Sequence, residues 1–285
     1  MSKNHSLFDV MGSLDDSSYL NDSAYPDDSP YQQAADFSAG AAATVKAPAP
    51  LTMTLYLTEP GDTNAISADD IHQGQMGDCF LLSSIGEIAL LKPTFISDMI
   101  HPNSNGTETV TLYEAANGRL PGWNTAAFKP VTEVITNVFP TDSVNNGATQ
   151  DVVGYQKEIW VQVLEKAVAT LNGGYDGIAN GGSPVIAMEE LTGHIATSMS
   201  PGSLTLAALQ SLIKAGDMIV MDTLPSGAEP DGLYNDHAYM FQSVTGTGSA
   251  AVVHLLNPWG FDQPAPVLLS QLSRGISEVD IGHMT

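Results

Sequence analysis

Apolar and polar positions along the chain fall into stretches of two different periods. Leu51-Thr52-Met53-Thr54-Leu55-Tyr56-Leu57 alternates and predicts a short strand. Beyond the glycines at 74 and 77, Leu81, Leu82, Ile85, Ile88 and Ala89 recur at helical spacing, which predicts a buried helix that follows Cys79 and ends before Pro93. Residues 109–114 and 131–139 read as strands with a loop of Gly, Asn and Pro between them. Residues 155–167 read as an amphipathic helix with Ile159, Trp160, Val163, Leu164 and Ala167 on its apolar stripe. A glycine-rich turn follows over 172–184, then a helix from Ser203 to Lys214. From there the pattern turns strand-rich, with candidates at 218–221, 238–244 and 251–256 punctuated by Gly232, Gly246 and Gly248. That change sets an expected boundary near residue 212, with 51–212 a helical lobe and 213–285 a β-rich one. No internal repeat is visible.

Composition changes this picture at the N-terminus. Residues 1–50 scatter aspartates among Ser, Tyr, Ala and Gly and close on Ala47-Pro48-Ala49-Pro50, a stiff linker. Such an acidic, weakly apolar segment is expected to be a disordered extension, with a propeptide or regulatory segment as the other reading. The rest is long enough to bury a full core. No apolar run reaches the length of a membrane span, and the first residues lack the apolar region of a classical secretory signal.

Charge excludes more than it identifies. Nine Lys and Arg stand against 32 Asp and Glu, a net charge of −23. That surface repels phosphate backbones and anionic lipid, so neither nucleic acid nor a membrane surface is an expected partner. Clustered carboxylates suit a hard cation such as Ca²⁺, although solubility or adaptation to salt is the favoured explanation of such a balance.

The candidate chemistry begins at the one cysteine in the chain, Cys79. It sits where a glycine-rich turn enters the buried helix, and a thiol at a helix N-terminus is expected to shift toward thiolate. The plain alternative is a small buried hydrophobe. A nucleophilic thiol needs a base to take its proton and a group to orient that base.

Gln73-Gly74-Gln75-Met76-Gly77-Asp78-Cys79-Phe80-Leu81-Leu82 resembles the active-site segment of calpain-family cysteine proteases, Q-G-x-x-G-D-C-W-L-L, with Phe80 where the family usually has tryptophan. The resemblance extends over roughly residues 60–285. It continues through Trp160-Val161-Gln162-Val163-Leu164-Glu165-Lys166-Ala167, through Asn172-Gly173-Gly174-Tyr175 and through Gly181-Gly182-Ser183. Met188-Glu189-Glu190-Leu191-Thr192-Gly193 fits as well. His237-Ala238-Tyr239 matches the family's G-H-A-Y except that Asp236 replaces the glycine, and Asn257-Pro258-Trp259-Gly260 matches N-P-W-G in full.

The resemblance implies an α+β, papain-like fold of two lobes, helical and β-rich, with the active site in the cleft between them. It implies Cys79 as nucleophile, His237 as base, Asn257 as orienter of His237, and Gln73 as an oxyanion donor beside the Cys79 amide. Trp259 is expected to pack over the His–Asn pair, with Gly77 and Asp78 shaping the turn. The order and spacing of the three motifs agree with papain-like enzymes, in which His and Asn lie roughly 130–150 residues after the Cys. His254, alternating on a strand, is a rival base, but nothing around it matches the family. The remaining histidines read as structural or exposed.

The activity so implied is an endopeptidase acting on extended polypeptide through a thioester. The chemistry requires no cofactor, Ca²⁺ enters as a regulator of uncertain necessity, and a monomer is expected. Two other readings stand: a catalytically silent module that keeps the cleft, and a transglutaminase or acyltransferase. The latter generally uses Asp as orienter, so Asn257 tells against it.

Overall fold

A computed structural model describes residues 51–116, 127–146, 152–228 and 230–284. The expected extension over 1–50 lies outside the described residues. In chain order the elements are β1 (Thr52–Thr54), α1 (Cys79–Leu91), α2 (Pro93–Met99), β2 (Ile100–Pro102), β3 (Thr107–Ala115), β4 (Phe128–Thr136), β5 (Val152–Val153), β6 (Gln156–Glu158) and α3 (Trp160–Leu171). They continue with α4 (Pro184–Thr192), β7 (Thr197–Met199), α5 (Leu206–Ala215), β8 (Met218–Thr223), β9 (Ala238–Thr245), β10 (Val252–Leu256), β11 (Val267–Leu268) and β12 (Ile276–Gly282). The described chain is therefore a mixed α/β structure with three sheets, ordered β1-β6-β5, β2-β3-β4 and β11-β10-β9-β8-β12-β7.

The six-stranded sheet decides where everything else goes. All its pairings are antiparallel. Met218-Ile219-Val220-Met221 is apolar without alternation because both faces of β8 are covered. Met218 and Val220 join a core cluster with α1, α3 and α4. Ile219 and Met221 point the other way, into a second cluster with Tyr239, Phe241, Val253, Leu255 and Val279. This second core also draws on Met199, Leu204 and Leu209, so it begins upstream of residue 212.

Helix α1 lies against the first face. Phe80 through Ala89 are all buried, and the helix packs on β8, β9 and α4. A helix covered on every side needs no amphipathic stripe, which is why its sequence is apolar nearly throughout. Two buried polar groups tie it to the sheet: Ser83 Oγ donates to the Ala238 carbonyl at 3.0 Å, and the Ile219 amide donates to Glu87 Oε2 at 3.1 Å. It ends at Leu91, since the residue before Pro93 is driven to an extended conformation, and Pro93 then opens α2.

Several expected elements differ in extent, among them the strand read over 51–57, which pairs only at Thr52–Thr54. The helix expected over 155–167 starts only at Trp160, because Gln156–Glu158 pair in parallel with Thr52–Thr54. The apolar stripe itself began at Ile159, so periodicity never supported the first turn. The strand expected over 131–139 runs from Phe128 to Thr136. Its pairing with β3 places Pro130 opposite Tyr113, which an edge strand tolerates. The helix expected from Ser203 starts at Leu206, because Thr205 caps it by accepting from the Ala208 amide at 3.1 Å. Among the described residues no single helix is long and apolar enough to cross a membrane.

Truncating a fully buried α1 side chain removes contacts that nothing else fills. Ile85→Ala should lower the unfolding free energy by about 2–5 kcal/mol, read from urea denaturation.

Candidate active site

Cys79 is the first residue of α1, with Asp78 at the cap position. The turn before it is held by backbone pairing. Gly77 donates to the Ala179 carbonyl at 2.7 Å, and Gly181 donates back to the Gly77 carbonyl at 2.8 Å. A Cβ at residue 77 would come within 2.9 Å of the Ala179 oxygen, so only glycine lets these two segments approach. At Gly182 a Cβ would strike the Phe80 ring, so the aromatic beside Cys79 fixes a glycine on the opposite wall.

His237 immediately precedes β9. Its amide donates to Thr223 Oγ1 at 2.9 Å, and its carbonyl accepts from the Thr223 amide and hydroxyl at 2.9 Å each. Asp236, where the resembled family has glycine, adopts φ 52°. That left-handed conformation explains why glycine suits the position and why a short polar residue can replace it.

The His237 ring is fixed from several sides. Its Nε2 lies 2.9 Å from Asn257 Oδ1. An amide oxygen only accepts, so this bond assigns the proton to Nε2 and leaves Nδ1 as the basic nitrogen. Asn257 is held in turn: its Nδ2 donates to the Asp262 carbonyl at 3.2 Å, and its Oδ1 also accepts from the Trp259 amide at 3.1 Å. The Trp259 ring packs against His237 with centroids 4.7 Å apart and planes at 42°. Tyr239 meets the imidazole edge-on at 4.9 Å, and Tyr234 supports Trp259 at 4.6 Å. His237 and Asn257 are 7% and 2% exposed, so this pair is shielded from water that would compete for its hydrogen bond.

Cys79 and His237 line two common cavities. One, of about 430 Å³, is walled by Gly181, Gly182, Asp222 and Thr223. The other, of about 410 Å³, is walled by Gln73, Met76, Trp259 and Phe261. The structure thus brings Cys79, His237, Asn257, Gln73, Trp259, Gly77 and Asp78 into one neighbourhood. His254 is elsewhere, half-buried on β10 and bonded to Thr245 Oγ1 at 2.9 Å.

The electrostatics correct one expectation. Burial pushes the Cys79 thiol up to about 11, and the Asp222 and Asp78 carboxylates push the same way. A hydrogen bond with the Ala238 backbone opposes this without overcoming it. The helix end alone therefore does not make a resting thiolate. Burial lowers the His237 pKa, against the smaller upward pulls of Asn257 and Asp236. Burial thus favours the uncharged form of both the thiol and the imidazole.

Gln73 is placed beside the thiol but is partly committed. Its Nε2 donates to the Met76 carbonyl at 2.7 Å, which leaves one amide hydrogen for another acceptor. Its backbone amide donates to the Pro258 carbonyl at 2.9 Å, tying this turn to the segment that carries Asn257 and Trp259.

Sequence reasoning passed over Glu165 as a site residue. It lies on α3, fully buried, and its Oε1 accepts from the Val144 amide at 2.8 Å. It faces the equally buried Asp78. Burial first, then the Asp78 charge, drives Glu165 up to about 9; burial raises Asp78 to about 6. Two buried carboxyls at close quarters cannot both ionise, so the pair keeps a proton directly behind Cys79. The signal was an acidic residue inside an otherwise buried helix turn.

Two further acidic groups could hold a cation: Glu59, Asp62 and Asp70, and Asp222, Glu278 and Asp280, each set with oxygens within 4.8 Å of one another. Asp70 is the most engaged of these, since its Oδ2 accepts from the Ser67 amide at 2.7 Å and from Trp160 Nε1 at 3.0 Å.

Comparison with known proteins bears on the family of the chain. The calpain family cysteine protease domain matches residues 57–264. Calpain-9 of Homo sapiens is 31% identical over 211 residues, covering 67% of this chain and 28% of its own length. Calpain clp-4 of Caenorhabditis elegans is 30% identical over 211 residues, covering 70% and 28%. The calpain-type cysteine protease DEK1 of Zea mays is 28% identical, covering 69% of this chain and 9% of its own. The chain thus spans well under a third of the length of the curated relatives it matches.

Raised carboxyls make stability depend on pH. Glu165, Asp78, Glu190 and Asp280 hold protons in the folded chain at pH values where the unfolded chain has lost them. Unfolding then releases protons, so stability is fully present near pH 4 and falls as pH climbs toward about 9. The Tm should be higher at pH 5.5 than at pH 8 by on the order of 5 °C. Glu165→Gln, which keeps the acceptor for Val144, should flatten that slope in a thermal melt.

Proposed function

Because the chain belongs to the calpain family of cysteine proteases, we propose that it is a thiol endopeptidase that cleaves extended polypeptide segments through a thioester. The observation that carries this reading is the 2.9 Å bond between His237 Nε2 and Asn257 Oδ1, made by an imidazole that lines the same cavities as the only thiol in the chain. We read the two hydrophobic clusters as the cores of two lobes and the space between Cys79 and His237 as the cleft.

In this reading Cys79 Sγ attacks the substrate carbonyl carbon while His237 Nδ1 takes the thiol proton. Sulfur becomes bonded to carbon, and the carbonyl π electrons move onto oxygen. The Cys79 amide and the uncommitted hydrogen of Gln73 stabilise that oxyanion. Collapse expels the amine, which leaves with the proton held on His237. Water, deprotonated by the same imidazole, attacks the thioester; the acid departs and the thiol is restored. Asn257 holds the Nε2–H tautomer throughout, which keeps Nδ1 directed to the chemistry, and Trp259 excludes water from that bond.

An amide orienter also weighs against the transglutaminase reading, since Asn257 adds no carboxylate to stabilise a resting imidazolium. A catalytically silent module would have no use for the neutral, shielded imidazole paired with the thiol.

Calcium fits as a regulator rather than as part of the chemistry. Glu59, Asp62 and Asp70 would hold it. Both Glu59 oxygens lack a hydrogen-bond partner, and burial followed by Asp70 raises this carboxyl to about 7, as expected for anionic ligands crowded without a cation. Bound there, Ca²⁺ would supply counter-charge. Millimolar Ca²⁺ should raise both Tm and casein cleavage relative to EGTA, and Glu59→Gln should remove the Tm increase.

Cys79→Ala should abolish casein cleavage and labelling by an epoxide thiol inhibitor while leaving the melt unchanged; activity within tenfold of wild type would exclude a thiol mechanism. Gln73→Ala should lower kcat by on the order of 10²–10³ with little change in KM, in steady-state assays of a peptide substrate.

A further inference from the structure

The two cavities that meet at Cys79 differ in charge. The one lined by Gln73, Met76, Trp259 and Phe261 receives a carboxylate only from Asp236 at its border. The other, beneath Gly182, has Asp222 and Asp236 in its wall. More negative charge lies behind Asp222. The pairing of β8 with β12 places Glu278 opposite Asp222, and Asp280 follows two residues on, on the same face. The carboxylate oxygens of Asp222, Glu278 and Asp280 lie within 4.8 Å of one another.

Among the described residues no cationic side chain faces Asp222, Asp236, Glu278 or Asp280 in an ion pair. Asp280 is only 1% exposed, is directed toward Asp222, and its Oδ2 has no hydrogen-bond partner. Burial, then Glu278 and Asp236, push the Asp222 carboxyl up to about 7. Carboxyls crowded this way hold protons near neutral pH, and a cation entering the open cavity beside them would take the place of those protons. The cavity has room for a long side chain and opens directly onto Cys79. Pro225 and Phe80 offer apolar surface to an aliphatic stem, while the carboxylates lie where its charged head would reach.

We propose that this cavity is a specificity subsite that takes a lysine or arginine side chain of the polypeptide substrate, at one fixed position beside the cleaved bond, with Asp222 as its carboxylate partner. The proposal rests on the proteolytic reading above and adds its substrate class. Asp236 contributes a second carboxylate from the cavity wall, and Glu278 adds negative charge beside Asp222. A side chain suits the site better than a metal ion, because Asp236 stands apart from the close trio and only Asp222 of that trio lines the cavity, which also borders Cys79.

The test is a digest of an unstructured peptide library, in millimolar Ca²⁺, with new termini read by mass spectrometry. Lys or Arg should be enriched at one position within three residues of the cut. Matched fluorogenic peptides with Arg or Gln at that position should differ about tenfold or more in kcat/KM, and Asp222→Asn should reduce that ratio to about two. Should Asp222→Asn not fold, Asp236→Asn should reduce the ratio severalfold. Cleavage without a basic position, or a ratio unmoved by either variant, overturns the subsite while leaving the protease reading intact. Failure of the wild type both to cleave and to react with the epoxide inhibitor overturns both. Calorimetric Ca²⁺ titration of Cys79→Ser in which adding Asp222→Asn deletes a binding site assigns the carboxylates to a metal and overturns the subsite.

Discussion

The burial of α1 between the six-stranded sheet and the remaining helices is the constraint on which the rest of the structure depends. A helix covered on every side has no free direction in which to slide. Its first residue is Cys79, and the strand it presses against opens just after His237. The Ser83–Ala238 and Glu87–Ile219 hydrogen bonds cross that contact in apolar surroundings, where an unmade bond is costly. Thiol and imidazole are therefore set by core packing rather than by loops. The loops add finer adjustments: the Asn257–Trp259 turn orients the ring, and the Gln73 amide on the Pro258 carbonyl joins the two sides.

What the sequence revealed was local. The helix after Cys79 was legible because its apolar residues recur at helical spacing and Pro93 marks its end. The strands near 218, 238 and 251 were legible because β-branched and other apolar residues cluster between glycines. The residues around Cys79, His237 and Asn257 could be singled out because each sits in a distinctive string, and folding brings those strings together. The parallel pairing of β1 with β6 was not legible, since it joins segments far apart in the chain and left 156–158 to be absorbed into a helix. Nor was the Asp78–Glu165 pair, which needs the packing of α3 behind α1. The acidic cavity was hidden for the same reason: Asp222 and Glu278 become neighbours only through the register of β8 and β12. The direction of the Cys79 shift was misjudged because position in a helix can be read from sequence, whereas depth of burial cannot.

A chain this acidic cannot keep every carboxylate in water. The described residues bury Asp78, Glu165, Glu87, Glu190 and Asp280. Glu165 and Glu87 receive backbone amides as partners, and Asn172 donates to Glu190 Oε2 at 3.0 Å. Neutralisation by a proton replaces the salt bridges that a chain with more lysine and arginine would form, and it costs no matching cationic residue.

The burial of Cys79 has a redox side. Peroxide attacks thiolate far faster than thiol, so a sulfur that rests protonated is slow to oxidise. The chain contains no second cysteine that could capture a sulfenic acid as an internal disulfide. Any oxidation at this one atom would depend on an external thiol for its reversal, or progress to the irreversible acids. In the proposed mechanism the sulfur gives up its proton only during attack, which limits that exposure to the moments of turnover.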